Sequence, residues 1–404
     1  MSTAATESTA APLALEPDVD FVEALIARAG DSFERCYQCG TCSAVCPFEF
    51  AGTQLPRREM LLAQWGLKDE LLSSEALWIC TTCGNCARVC PREVDIPGTI
   101  RAARDLYMLE RRVPTELQTA LESTARHGNP LGMPPRRRAD WVKEAGVEVP
   151  IMAKLGRPVD VLLFCECYWS YHPRGMQAAQ AMARTLTRLG VDYAILGVEE
   201  RCVADSQRLA GESGLFEEAA EHNIKTLSKY QFKRLVTPDP HAYNAFRNLY
   251  PALGGSYEVL HYTQLLAGLL DQLSLAPLPE TVVTFHDPCY LGRHNGEFEA
   301  PRALLNAIPG LTLTEMGHCR ENGYCCGGGG GGMWNSSYVA EHADGRLAEV
   351  RVREAVSTGA QMLAVCCPFE VSLFEDAVKN TGNDGRLVVR DIIELLDQSL
   401  SAAA

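Results

Sequence analysis

Short apolar runs alternate with amphipathic stretches through the second half of the chain. Val159 to Phe164 and Tyr193 to Leu196 are apolar runs of strand length, and between them Gly175 to Leu189 repeats apolar residues at helical spacing. The same reading gives a helix over Leu215 to Tyr230, a strand over Arg234 to Val236 and a helix over Ala242 to Tyr250. The pattern then restarts. Strand Thr281 to Phe285 leads to helix Pro301 to Ile308 and strand Leu311 to Glu315. A long helix, Tyr338 to Thr358, precedes strand Met362 to Val365 and helix Phe369 to Lys379. Strands separated by helices in this way predict α/β layers with a parallel sheet, here duplicated.

The first half is helical. Phe21 to Arg28 is amphipathic, the helical segments Arg57 to Leu62 and Lys68 to Leu72 lie between Pro56 and Leu77, and Pro97 to Arg111 forms another helix that ends near Pro114. Residues 1–20 are Ala/Ser/Thr-rich, without a basic start or an apolar core, and read as a disordered tail rather than a targeting sequence. The expected organisation is α+β and multidomain. A helical domain covers 21–113, a linker 114–158, and two α/β modules 159–270 and 271–400. The linker carries the turn-rich His127 to Pro135 and then Arg136, Arg137 and Arg138, read as a solvated basic patch.

Composition changes this picture at one point. Of 404 residues, 47% are hydrophobic and 22% charged, as in an ordinary soluble protein. A formal charge of −14 argues against nucleic acid or an anionic membrane as partner. No run reaches the ~18 apolar residues of a membrane helix; Leu265 to Leu278 is broken by Gln and Asp. The outlier is cysteine, with 17 residues, an odd number held in tight clusters and not preceded by a signal peptide. That usage implies a reducing compartment and thiolates that bind metal.

Eight cysteines form two equal runs, Cys36-Cys39-Cys42-Cys46-Pro47 and Cys80-Cys83-Cys86-Cys90-Pro91, 44 residues apart. Three cysteines spaced by two residues, a fourth after three more and then proline is the bacterial ferredoxin run, in which the fourth thiolate reaches the other cluster. The helical domain is therefore expected to hold two [4Fe–4S] clusters with crossed ligation.

The remaining cysteines repeat with the modules. Cys167 is followed after 34 residues by Cys202, then by Asp239-Pro-His-Ala242. Cys289 is followed after 35 residues by Cys325–Cys326, then by Cys367-Pro-Phe-Glu370. Only the second module keeps its thiolates, and the first reads as scaffolding around Cys165, Cys167 and Cys202. Gly327 to Gly332 follow the cysteine pair, and on these residues alone a flexible linker, a phosphate loop and a cluster site all compete. The phosphate loop lacks the spaced glycines and the Lys-Ser/Thr ending. The duplication favours the cluster site, with Gly327 and Gly328 approaching it as backbone.

With His286-Asp-Pro-Cys289-Tyr-Leu-Gly-Arg293, Cys325–Cys326-Gly and Cys367-Pro-Phe, the chain resembles the heterodisulfide reductase family over roughly residues 30 to 395. The order is that of the HdrD-type fusion, a ferredoxin part followed by two cysteine-rich CCG modules. The resemblance implies a third, noncubane-type or modified [4Fe–4S] cluster on Cys289, Cys325, Cys326 and Cys367. The family's fifth cysteine is Glu370 here, with Cys366 and Cys319 as spare thiols. It further implies disulfide reduction at that site, with His286 and Arg293 flanking Cys289 as proton donor or anion holder beside His294. The alternative is a purely electron-relaying subunit of a flavoprotein dehydrogenase or electron-transfer-flavoprotein complex. No GxGxxG follows a strand, so a flavin would belong to another polypeptide. The expected partners are redox proteins, a flavoprotein or a membrane haem subunit, in a hetero-oligomeric complex. The expected location is cytoplasmic, peripheral to the membrane through a partner.

Overall fold

In the computed structural model, residues 15–48, 55–110, 113–343 and 345–402 are described. Most of the expected tail, residues 1–14, and the end of the Pro97 to Arg111 helix lie outside them. Helix Val19–Ala29 starts two residues before the expected boundary because Asp18 caps it, its side chain accepting from the Phe21 N–H at 2.8 Å. Helices Arg57–Gln64, Lys68–Leu72 and Ile96–Glu110 complete the N-terminal bundle. Phe21, Leu25, Phe33, Met60, Leu71 and Ile100 form its core.

Among the described residues, the second half holds eight strands in two four-stranded parallel sheets. The first contains β1 (Val159–Leu163), β2 (Tyr193–Ile195), β3 (Phe232–Thr237) and β4 (Val259–His261), in the order β2-β1-β3-β4. The second contains β5 (Thr281–Phe285), β6 (Leu311–Leu313), β7 (Met362–Val365) and β8 (Val388–Asp391), in the order β6-β5-β7-β8. The shared order is the duplication in three dimensions. The modules are fused through one core that takes Trp169, Leu186 and Tyr262 from the first and Leu304, Ile393 and Leu396 from the second. Helix Pro173–Arg188 lies on helix Ile392–Ala402, and Arg174, Arg184 and Arg188 pair there with Glu394 and Asp397.

Several expectations change. The edge strands β4 and β8 had no reading, because each runs directly into a helix, Tyr262–Ala267 and Ile392–Ala402, with no turn residue to mark its end. The long helix Tyr338 to Thr358 is two helices, Ser336–His342 and Leu347–Ser357, with Gly345 at φ 136° between them. The helix read over Ala242 to Tyr250 starts at Pro240 and widens into a π turn at Ala245–Leu249. The linker segment contains helix Thr115–His127 and buries Trp141 in the shared core. Arg138 is not solvated. It is buried against Glu200 at 2.8 Å, while Arg136 and Arg137 are exposed. No helix among the described residues is long and apolar enough to cross a membrane.

Candidate functional site

The two ferredoxin-type runs fold alike. In each, the residue before the second cysteine takes positive φ (Gln38 63°, Thr82 54°), a left-handed glycine follows (Gly40 82°, Gly84 79°), and one helical turn begins. This loop turns three thiols inward, and the fourth falls on the far side of the turn. One cavity is lined by Cys46, Cys80, Cys83 and Cys86, and a second by Cys36, Cys39, Cys42 and Cys90. Each cavity thus takes three thiols from one run and the fourth from the other. All of these cysteines are free thiols. Burial pushes the Cys46 thiol up to about 12 and raises Cys80 and Cys86. Free thiols grouped in fours around small cavities, all but Cys39 at least partly buried, suit iron, which stabilises the thiolate form.

Cys289, Cys325, Cys326 and Cys367 gather at the carboxyl ends of β5 and β7, where open parallel sheets form their crevices. Cys289 lies in the loop that follows Phe285, the last residue of β5, and Cys367 follows β7 by two residues. The Cys289 and Cys325 sulfurs are 4.0 Å apart. The Gly327 and Gly328 N–H groups donate to the Cys325 and Cys326 sulfurs at 3.3 and 3.5 Å. Surrounded by the Cys289, Cys326 and Cys83 thiols, Cys325 is held well below the ordinary thiol range. Beside Cys326, His286 and Glu370 are fully buried, with ligand atoms of all three within 4.8 Å of one another. His286 Nε2 and Glu370 Oε2 have no hydrogen-bond partner. Orphaned polar atoms among buried thiols again fit a metal cluster. The structure sends the spare thiols elsewhere. Cys366 points into the shared hydrophobic core, and Cys319 lies half-exposed near the Asp287–Arg302 pair.

Four of the glycines do not face the thiols. An added Cβ at Gly329, Gly330 or Gly332 would come within 2.6 Å of Thr81 O, 2.5 Å of Cys80 O or 2.2 Å of Gly327 O, and at Gly331 within 3.2 Å of Ala210 Cβ. Gly329 and Gly330 pack on the second ferredoxin loop, Gly331 on Ala210 and Leu117, and Gly332 on Gly327 of the same run, so the run is divided between thiol contact and domain junction. Arg293 joins the same junction and does not face an anion site: it donates to Cys83 O at 2.9 Å, to Glu321 O at 3.0 Å and to Gly323 O. His294 Nε2 lies 3.2 Å from Thr82 O. Arg104, unremarkable in the sequence, is fully buried there and donates to Leu77 O, Leu209 O, Gly330 O and Cys80 O at 2.5–2.9 Å.

The first module faces the same cavity as the second. Its lining combines Glu166, Asp205, Asp239 and His241 with Cys289, Cys326, Cys367 and Glu370, under Trp334 and Phe369. Cys167 and Cys202 adjoin Glu166, whose carboxylate oxygens accept from the Val203 and Cys167 N–H groups, both at 2.8 Å. Arg138 reaches the Cys167 sulfur at 3.6 Å. Those groups are satisfied by the protein itself, unlike His286 and Glu370. Asp239 stands at the position of Cys367, and burial raises its carboxyl to about 7. Its folded value exceeds the unfolded ~3.9, so the native state binds more protons between the two, and stability falls as pH rises from about 4 to about 7. Asp239→Asn keeps the oxygen that accepts from the His241 N–H at 2.8 Å. The variant is expected to be more stable than the parent at pH 8 by up to about 4 kcal/mol, with the gap narrowing at pH 5.5. Thermal unfolding at both pH values checks this, and a gap that ignores pH contradicts it.

The architecture matches known families. The description "Cysteine-rich domain" fits residues 161–247 and again 283–369, and "4Fe-4S dicluster domain" fits residues 32–94. The HdrD-type component of the dihydromethanophenazine:CoB–CoM heterodisulfide reductase of Methanosarcina barkeri is 30% identical over 401 residues, covering 91% of this chain and 94% of the relative. The chain belongs to the HdrD-type heterodisulfide reductase family. As a member, it is an iron–sulfur electron-transfer protein, with clusters in the dicluster domain and a further one at the cysteine-rich site. The probable iron–sulfur-binding oxidoreductase FadF of Bacillus subtilis is 37% identical over 83% of this chain, and the EtfAB:quinone oxidoreductase of Syntrophomonas wolfei 34% over 81%. The chain spans about half the length of these two relatives, 48% and 47%.

Proposed function

We propose that this chain is the iron–sulfur subunit of a multi-subunit redox complex, carrying electrons to a cavity between its two cysteine-rich modules. The observation that carries this reading is the Cys83 thiol, which lines one ferredoxin-type cavity and also packs against Cys325. The three thiol sets therefore form a line. Cys36, Cys39, Cys42 and Cys90 would hold the outermost cluster, near the exposed Cys39. Cys46, Cys80, Cys83 and Cys86 would hold the middle one, and Cys289, Cys325, Cys326 and Cys367 the last. Clusters bound there supply one-electron carriers, which together deliver the two electrons that a disulfide requires.

The chain's own residues prepare the end of that line. The Gly327 and Gly328 amides stabilise negative charge on sulfur. Trp334, Phe369, Met333 and Pro288 give the cavity dry walls. Asp239, near neutrality, can hold a proton on Oδ2 while Oδ1 accepts from His241. The cavity lining carries several carboxyl groups and, among the described residues, no Lys or Arg, which disfavours an anionic substrate. The second reading ends at a flavoprotein or a membrane haem partner instead. The Syntrophomonas wolfei relative favours it, since that protein is called an EtfAB:quinone oxidoreductase.

Electron paramagnetic resonance of the reduced Cys326→Ser variant tests the assignment. The third centre should be lost and both ferredoxin-type signals retained. Loss of all signals together, or of none, overturns the division into three sets. A small thiol that perturbs only the third centre favours disulfide chemistry there, and an unchanged spectrum favours the relay.

A further inference from the structure

Glu370 stands where the family pattern has its fifth cysteine, and its surroundings are unlike those of a structural carboxylate. It opens helix Glu370–Asn380, is buried, and lines the cavity beside Cys326 and Cys367. A buried carboxylate is normally paired or saturated with hydrogen bonds. Glu166 in the first module meets that rule, with both oxygens taken by backbone amides. Glu370 does not: Oε2 is unpartnered, and Oε1 lies 3.3 Å from His286 Nε2, which is itself without an aligned hydrogen bond.

His286 is the obvious rival as ligand, and its other nitrogen decides against it. Arg351 is fully buried and donates from Nε to His286 Nδ1 at 3.2 Å. Arg351 is fixed in turn by Glu354 and by His318 O at 3.0 Å. An imidazole that accepts at Nδ1 from a guanidinium keeps its own proton on Nε2, the atom facing Glu370. It has a hydrogen to donate there and no lone pair to give to iron. The chain Glu354–Arg351–His286–Glu370 thus ends on a carboxylate with one oxygen near an N–H and the other unpartnered, beside the Cys326 thiol. Outer partners that orient a ligating carboxylate are usual at metal sites.

We infer that Glu370 is the fifth protein ligand of the third cluster, binding one iron through Oε2, and that His286 is the positioning residue holding it through Oε1. This rests on the three-set reading of the proposed function. A hard oxygen donor among soft thiolates makes that iron distinct from its neighbours and more readily exchanged for another ligand.

Mössbauer and electron paramagnetic resonance spectra of the anaerobically purified full chain test it. The ferredoxin-type centres of each variant serve as the internal control for folding. In the parent, one iron of the third centre should show the parameters of oxygen ligation. Glu370→Cys should keep the parent's iron content and convert that iron to sulfur ligation. Glu370→Ala should lose iron from the third centre alone. His286→Gln, which retains a donor, should keep the parent spectrum, and His286→Leu should broaden or shift it. If the parent lacks a third centre, the three-set reading fails and this inference falls with it. If the third centre is present and both Glu370 variants reproduce the parent spectrum, only the Glu370 assignment is overturned.

Discussion

Replacing Arg104 by methionine is expected to destabilise the folded chain by about 3–5 kcal/mol, because four carbonyls at the junction are left without their donor. Four carbonyls, of Leu77, Cys80, Leu209 and Gly330, lose their donor at once in a place that water does not reach. Each unsatisfied buried group costs about 1–3 kcal/mol, partly offset because the guanidinium's own desolvation disappears. Among the described residues Arg104 has no carboxylate partner; its one ring contact is Trp78, 5.6 Å from the centroid. Those carbonyls come from the ferredoxin-type domain, the first module and the glycine run, so the variant should loosen all three. Arg104→Lys keeps the charge, cannot reach four acceptors, and should fall between. Urea unfolding measures both. A methionine variant within about 1 kcal/mol of the parent, the size of a single ordinary hydrogen bond, would show that the junction is held by other contacts.

Gly330→Ala is the second large effect. The residue sits at φ +60°, and its Cβ would meet Cys80 O at 2.5 Å and Thr81 Cα at 3.0 Å. These are backbone atoms of a loop that carries Cys80 and Cys83, so relief requires moving two thiols. The left-handed conformation costs about 1–2 kcal/mol and the overlap about 1–3 more. Gly385→Ala is the control, with φ +76° and open space around its Cβ, and should cost only the conformational part. The expected signature is loss of the middle ferredoxin-type signal at Gly330 and no spectral change at Gly385. Equal effects at the two glycines would remove the junction role argued for the run.

The sequence carried the duplication and the cluster chemistry because both repeat. Two ferredoxin-type runs and a strand–helix rhythm that restarts at Thr281 are periodic signals, and strands β5 and β7 fall where the apolar runs lie. What was illegible depends on contacts between distant segments. Nothing local marks Arg104 as a buried hub, since one arginine in an amphipathic helix looks like any solvated one. Arg293 follows Cys289 within the same short motif, which suggests a substrate contact, yet its donors go to Cys83 and Gly323. The glycine run carried half of its meaning locally. Its first two residues serve the adjoining sulfurs, while Gly329 and Gly330 fit a loop far away in the chain, around Cys80 and Thr81. Asp239 could have been found from the alignment of the two modules, where a carboxylate occupies the Cys367 position. Its place in the second module's cavity could not.

The exchange of fourth cysteines between the two runs has a consequence for biosynthesis. The cavity of Cys36, Cys39 and Cys42 has no fourth wall until Cys90 has been made, and that of Cys80, Cys83 and Cys86 borrows Cys46 from a segment already released. On the ribosome, the nascent chain therefore offers no finished iron pocket until the second run emerges, and then completes two almost together. The last pocket waits for Cys367 and Glu370, much later in translation. Complete thiol sets thus become available in the order of synthesis, the two outer ones before the terminal one, and a chain truncated after the first run would hold no complete set of four.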